Sequence, residues 1–115
     1  MGFLSVLFRN IDYTNINGSQ LQNILNSNRK ILILDVRNSE EYRNGHIPNS
    51  VNIPVDILST KLSTLSSYRN NEIVVYCSVG IRSATASEVL ARNGFNKIYN
   101  LDGGISSYKG KLTKY

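Results

Sequence analysis

The chain is poor in the residues from which small proteins build cross-links and metal sites. Its 115 residues include one cysteine, one histidine, two prolines and no tryptophan. A single cysteine, Cys77, excludes an internal disulfide and a paired-cysteine redox motif, and with only His46 beside it the chain lacks the ligands of an ordinary zinc site. Any thiol chemistry of this protein therefore rests on Cys77.

Long hydrophobic runs are also missing. The longest, residues 31–34 and 73–75, are far shorter than the roughly 18 residues of a membrane-spanning helix, so we expect no membrane partner. A short apolar stretch at residues 3–8 lacks the basic region and cleavage site of a signal peptide, and we expect a helical turn or a frayed segment that packs on the domain. A chain that is not exported and carries an unpaired thiol suits the reducing cytoplasm.

What is present fits one small globular domain. Hydrophobic residues make up 41% and charged residues 18%, and a chain of this length buries roughly two-thirds of the surface that it exposes when unfolded. Lysine and arginine outnumber aspartate and glutamate by 13 to 8, and the net charge of +5 attracts anionic substrates. The basic tail with Lys109, Lys111 and Lys114 comes with no groove-reading motif, so we expect it to be solvated, with no nucleic-acid partner.

Hydrophobic periodicity predicts strands that alternate with helices. Strands are predicted at residues 13–16, 31–36, 51–53, 73–77 and 97–101. Helices are predicted after the N-cap Asn17 with its capping-box partner Gln20, through the apolar face of Leu58, Leu62 and Leu65, and over residues 82–93 before Gly94. The runs at 31–36 and 73–77 lack polar alternation, as in a parallel sheet covered by helices on both faces. The fold class is therefore α/β, and Cys77 lies at a strand's carboxyl end, where such sheets bind ligands.

The segment after the fourth strand is built to activate a thiol. A tight loop from Cys77 to the next helix aims backbone N–H groups at the sulfur, and the positive helix end adds to that field. Reactive cysteines at helix starts have pKa values of roughly 3.5–7.5 instead of about 8.5. Gly80 supplies the backbone freedom that the loop needs, and Arg82 adds a fixed positive charge. The alternative is that Cys77 is an inert core residue.

The loop resembles the CxxGxR motif, followed by Ser or Thr, of the rhodanese family of single-domain sulfurtransferases. In this sequence it reads Cys77, Ser78, Val79, Gly80, Ile81, Arg82, Ser83. Further motifs of the family are matched by Asp35-Val36-Arg37, Glu41-Tyr42, Gly45-His46-Ile47-Pro48, Asn52-Ile53-Pro54 and Gly103-Gly104-Ile105, so that the resemblance covers residues 11 to 108. One departure is Tyr108, which stands where the family usually has tryptophan, so the aromatic packing is kept.

The resemblance implies a rhodanese-like three-layer sandwich, with a central, mostly parallel five-stranded sheet and helices on both faces. Residues 11–115 would form this single domain and residues 1–10 an N-terminal extension. Cys77 would be the catalytic residue and the six residues Ser78 to Ser83 would bind substrate. Asp35, Arg37, Glu41 and His46 would be structural residues near the site. Among these, Glu41 has capping-box spacing from Asn38, with Arg37 tied to Glu41 or to a neighbouring loop, and His46 belongs to a turn.

The implied activity is sulfur transfer through a persulfide on Cys77, with no metal or organic cofactor. The donor would be a small sulfur compound such as thiosulfate or a thiol persulfide, and the acceptor a thiol or cyanide. Because the loop supplies no charge besides Arg82, a thiol persulfide is the better candidate donor. A second cysteine is lacking, so the acceptor must be another molecule, and a sulfur-relay protein is a further candidate partner. We expect a monomer.

Three other functions remain open on sequence grounds. A cysteine-dependent phosphatase of the dual-specificity kind would have five residues between cysteine and arginine, whereas four separate Cys77 from Arg82. The shorter loop is cramped for a tetrahedral phosphate, and the same objection applies to arsenate reduction. A rhodanese-like module that only binds a partner often loses its cysteine, and this chain keeps both residues.

Overall fold

The computed structural model describes residues 12–27 and 29–115. The apolar segment at residues 3–8 and the predicted boundary between residues 10 and 11 lie outside this part. The described strands are β1 (Thr14–Ile16), β2 (Ile31–Asp35), β3 (Val51–Asn52), β4 (Glu72–Tyr76) and β5 (Ile98–Leu101). The helices are α1 (Gly18–Leu25), α2 (Ser39–Arg43), α3 (Val55–Leu58) and α4 (Ile81–Arg92), with 3-10 helices at Leu62–Tyr68 and Gly104–Ser107.

The five strands form one parallel sheet in the order β1-β5-β4-β2-β3. Each predicted strand is present, and its ends lie within one residue of the prediction. β4 is the central strand and pairs with β2 and β5. It therefore brings the residue that follows it, Cys77, to the middle of the sheet's carboxyl edge, which confirms the predicted α/β architecture.

The sheet separates two hydrophobic clusters, because successive side chains of β4 point to opposite faces. Ile73 and Val75 belong to one cluster, with Leu90 of α4 and Phe95 in the loop that follows it. Val74 belongs to the other, which includes Leu21 and Ile24 of α1, Ile33 and Leu101. The burial of both faces by helices establishes the three-layer sandwich.

Local capping signals place the helices. Asn17 and Gln20 form the predicted capping box at the start of α1, with both hydrogen bonds at 2.8 Å. α4 is shifted by one residue toward the N-terminus relative to the predicted helix, and Gly94 follows it at φ +90°.

Within the described part of the chain, no helix is both long and apolar enough to cross a bilayer.

The prediction of one helix through Leu58, Leu62 and Leu65 is wrong. α3 ends at Leu58, and a turn leads to the 3-10 helix. The hydroxyls of Thr60 and Thr64 donate to carbonyl oxygens three residues earlier, at 2.7 and 2.6 Å. These local bonds favour tight turns over a continuous α-helix. Leu58 and Leu65 are nevertheless buried, because two short elements reach the same core as one helix would.

Candidate active site

Cys77 directly follows β4 and begins a tight loop, the Cys77 loop (residues 77–83), that leads into α4. Gly80 precedes the helix with φ +104°, a left-handed conformation that a side chain would strain. This turn reverses the chain so that the first N–H groups of α4 face back toward the end of β4. Cys77 has no exposed surface. The loop therefore encloses the sulfur.

The sulfur of Cys77 is the focus of several hydrogen-bond donors. The backbone N–H groups of Gly80 and Ser83 donate to Sγ at 3.1 and 3.3 Å. The thiol donates to the hydroxyl oxygen of Ser83 at 3.4 Å, and the same hydroxyl donates to the sulfur once the thiol is ionised. Burial by itself raises the pKa of the thiol, but the hydrogen bonds from Ser83, Gly80 and Val79 outweigh it, so the pKa lies below its ordinary value. The loop therefore favours the thiolate, which is the nucleophilic form of cysteine.

The guanidinium of Arg82 is paired with a carboxylate. Its Nη1 and Nη2 donate to the two carboxylate oxygens of Glu41 at 2.8 and 3.0 Å. The hydroxyl of Ser78 donates to Glu41 Oε2 at 3.1 Å and also lies 3.1 Å from Arg82 Nη2. The bond from Arg82, with those from Asn38 and Ser78, lowers the pKa of Glu41 from 4.5 to about 2 despite partial burial. Glu41 and Arg82 are therefore a bidentate ion pair at neutral pH.

The role of Glu41 goes beyond the one inferred from its spacing. The predicted capping box is present, with Glu41 Oε1 accepting from the N–H of Asn38 at 3.0 Å. The same carboxylate also holds the Cys77 loop, which the capping signal does not reveal. Of the two ties suggested for Arg37, the one to Glu41 is absent and the one to a neighbouring loop is present, because Arg37 bonds to Asp35 and to the Gly45 carbonyl.

Asp35 and Arg37 form a buried ion pair beneath the loops. Asp35 has no exposed surface and Arg37 is 6% exposed. Arg37 Nη2 and the Arg37 backbone N–H donate to the carboxylate at 2.8 and 2.9 Å. The second bond of Nη2, to the carbonyl of Gly45 at 2.7 Å, ties the end of β2 to the turn after α2. Neither residue has a hydrogen bond to Sγ of Cys77.

His46 lies in that same turn. Its ring stacks on Tyr42 with centroids 3.6 Å apart, and Nδ1 lies 2.7 Å from the carbonyl oxygen of Tyr42. Its backbone pairs with Thr113, which fastens the C-terminal tail. The hydrogen bonds of His46 in the described chain thus join the turn and the tail and do not include the Cys77 loop.

A segment after β5 holds the Cys77 loop from the other side. The N–H of Ile105 donates to the Cys77 carbonyl at 2.8 Å, and Ser106 donates through its N–H and its hydroxyl to the Ser78 carbonyl at 3.3 and 2.9 Å. Gly104 has φ +63°, and a Cβ there would overlap the backbone of Cys77 and Ser78. The sequence motif Gly103-Gly104-Ile105 marked this segment. The reason for glycine at position 104, the close approach of two backbones, is visible only in the structure.

The outer surface of the loop is apolar. Val79 is 58% and Ile81 74% exposed, whereas Ser83 is fully buried against the sulfur. The residues predicted to bind substrate thus divide into those that surround Sγ and those at the loop's mouth. Two surface cavities of about 260 and 180 Å³ contain none of these residues. In the described chain no three His, Cys, Asp or Glu side chains come together as a metal site requires.

Comparison with known proteins identifies relatives of this chain. A family model described as Rhodanese-like domain matches residues 18–111. The tRNA uridine(34) hydroxylase of Escherichia coli is 38% identical over 84 residues, which are 70% of this chain and 24% of that protein. This chain spans about a quarter to a third of the length of the first curated relatives that it matches.

Two solved structures of similar size share the fold. A rhodanese-related protein from Thermoplasma volcanium matches with a TM-score of 0.78 and 35% identity, over 88% of this chain and 98% of that one. The human single domain sulfurtransferase TSTD1 matches with a TM-score of 0.71 and 26% identity, over 81% and 92% of the two chains.

Proposed function

The chain belongs to the rhodanese-like domain family, and from that premise we propose that it is a sulfurtransferase that carries sulfane sulfur as a persulfide on Cys77. The observation that carries the proposal is the convergence of the Gly80 N–H, the Ser83 N–H and the Ser83 hydroxyl on one buried sulfur. Core packing alone does not require such an arrangement, but the arrangement stabilises the thiolate, which is the form of cysteine that acts as a nucleophile at neutral pH.

In the first half-reaction the thiolate of Cys77 attacks the outer sulfur of the donor. Its electron pair forms a new sulfur–sulfur bond, and the donor's old bond to that sulfur breaks. The released pair stays with the remainder of the donor, which leaves as sulfite from thiosulfate or as a thiolate from a thiol persulfide. Because Cys77 has no exposed surface, the loop must open slightly to admit the donor sulfur.

In the second half-reaction a nucleophilic acceptor attacks the outer sulfur of the persulfide. Cyanide would leave as thiocyanate, and the electron pair of the broken bond restores the thiolate of Cys77. The N–H groups that stabilise the thiolate also lie where they can stabilise negative charge on the persulfide. These 115 residues hold no second cysteine to take the sulfur, so the acceptor lies outside them.

The relatives support the class of activity and not a particular substrate. The name of the human neighbour describes a single-domain sulfurtransferase, and this chain covers nearly all of it. The E. coli relative is named for hydroxylation of tRNA uridine, but this chain matches only 24% of that protein. We therefore propose sulfur transfer and do not carry over the hydroxylation.

Steady-state kinetics with a sulfane-sulfur donor and cyanide test the proposal. We expect thiocyanate to form with parallel double-reciprocal plots, because the donor's remainder leaves before cyanide reacts. Cys77→Ser should lose this activity while its thermal unfolding stays close to that of the wild type. Hydrolysis of an aryl phosphate that is lost in Cys77→Ser, with no thiocyanate from any donor, would instead establish a phosphatase.

A further inference from the structure

The only positive side chain of the Cys77 loop has its charge neutralised. Residues 77–83 contain no ionisable group besides Cys77 and Arg82. Both terminal nitrogens of Arg82 are engaged by Glu41, at 2.8 and 3.0 Å. The Ser78 hydroxyl lies beside both members of the pair and donates to Glu41. Within residues 77–83, all of which the structure describes, an arriving donor therefore meets an ion pair and backbone amides, and no unpaired cation.

This neutralisation persists across the working pH range. Glu41 loses its proton at a pKa of about 2, chiefly because of its hydrogen bond from Arg82, and a guanidinium stays protonated in proteins. The pair is partly exposed, with 37% of the Arg82 side chain and 29% of the Glu41 side chain accessible. It is thus near enough to the surface to be met by an entering donor.

Charge neutrality has unequal consequences for different sulfur donors. The cost of moving an ion out of water grows with the square of its charge, so a dianion loses far more hydration than a monoanion does. An ion pair repays less of that difference than an unpaired cation would. The exposed Val79 and Ile81 add hydrocarbon to the mouth of the loop, which favours a donor with an organic substituent.

Resting on the proposed function, we propose that Glu41 is a specificity-determining residue, which by pairing with Arg82 selects monoanionic organic sulfane-sulfur donors over the dianion thiosulfate. The selected class comprises organic thiosulfonates and thiol persulfides. Glu41 acts through Arg82 and does not react itself. Its capping of α2 and its control of donor charge are separate uses of one carboxylate.

Two donors that differ by one charge isolate the effect. Thiosulfate and methanethiosulfonate both present an outer sulfur bonded to a sulfonyl centre. Attack by the Cys77 thiolate gives the same persulfide from both, and the broken bond's electron pair leaves with sulfite or with methanesulfinate. Because the donors also differ in intrinsic reactivity, the quantity to follow is how a substitution changes the ratio of their kcat/KM values.

The decisive variant is Glu41→Gln, which removes one negative charge at nearly constant shape. Glutamine also serves at this position of a capping box, so α2 keeps its start. We expect the ratio of kcat/KM for thiosulfate to that for methanethiosulfonate to rise about tenfold, as one unit charge acting at close range on one extra donor charge implies. A general change in the pKa of Cys77 would alter both rates alike and leave the ratio constant.

Glu40→Gln is the matched control. Glu40 precedes Glu41 on α2 and is exposed, with no side-chain hydrogen bond in the described structure, so this variant gains the same net charge without releasing Arg82. Its donor ratio should equal that of the wild type. Arg82→Gln should lower the ratio, because it leaves the Glu41 carboxylate without its counter-charge.

An unchanged ratio in Glu41→Gln, or an equal rise in Glu40→Gln, would overturn the assignment of specificity to Glu41. Either result would still leave a Cys77 persulfide formed from both donors. Failure of the proposed function looks different, because then neither donor loads Cys77 in any variant.

Discussion

The contribution of Ser83 to the reactivity of Cys77 can be measured through the single substitution Ser83→Ala. Ser83 is fully buried, and its hydroxyl oxygen and backbone nitrogen lie 3.4 and 3.3 Å from Sγ. Alanine removes the hydroxyl but keeps the backbone N–H, and it is a good helix former inside α4. The bond from Gly80 is also retained.

The size of the effect follows from the difference between a charged and a neutral hydrogen bond. A bond to an ionised group contributes about 1.5–3 kcal/mol and one to a neutral group about 0.5–1.5 kcal/mol. The net loss on the thiolate side is therefore about 1–1.5 kcal/mol, and one pKa unit corresponds to about 1.4 kcal/mol. We expect the pKa of Cys77 to rise by about one unit in Ser83→Ala.

The assay is the rate of alkylation by iodoacetamide as a function of pH. Below both pKa values the variant should react more slowly than the wild type, because less thiolate is present. Above both it should react about threefold faster, since a thiolate of higher pKa is intrinsically more nucleophilic. Ser87→Ala is the control, because Ser87 is equally buried one turn further along α4 but bonds to the Ser83 carbonyl. An identical alkylation midpoint in wild type and Ser83→Ala would refute this reasoning.

Three further predictions test other parts of the site. Gly104→Ala should destabilise the protein by about 2 kcal/mol or more, and by more than Gly103→Ala, because only the former collides with the backbone of the Cys77 loop; urea unfolding gives both values. Tyr76→Phe should cost about 1–3 kcal/mol in urea unfolding, because the buried Tyr76 hydroxyl accepts a backbone N–H at 3.0 Å, and a loss below about 0.5 kcal/mol would contradict this. Since the pKa of Glu41 falls from 4.5 to about 2 on folding, its contribution is complete above about pH 4.5 and lost as the pH falls to about 2. Unfolding free energies measured across this range should show Glu41→Gln losing about 1–2 kcal/mol of acid dependence after solvent screening, and an unaltered acid dependence would contradict the pairing with Arg82.

Features encoded by neighbouring residues were predictable from the sequence. The capping boxes at Asn17 and Asn38 depend on partners three residues away, and both are present. The strands are predicted well because the runs that become β2 and β4 are buried on both faces and lack polar alternation. The position of Cys77 at the sheet's carboxyl edge follows from these local signals together with the parallel topology.

Features that depend on distant residues, or on competing local hydrogen bonds, were not predictable from the sequence. The pairing of Glu41 with Arg82 joins residues 41 apart in sequence and depends on how α2 packs against the Cys77 loop. The partner of Arg37 is Asp35, two residues away, but choosing it over Glu41 required the course of the chain after β2. The break after Leu58 reflects hydroxyl-to-carbonyl bonds such as that of Thr60, which a pattern of apolar spacings does not register.

Intact-mass spectrometry of the reduced protein, after brief exposure to methanethiosulfonate or to a thiol persulfide, tests the central claim most directly. The account predicts a mass increase of one sulfur atom that is absent from Cys77→Ser and disappears on addition of cyanide as thiocyanate forms. A reduced thiol that gains no sulfur from either donor would contradict it.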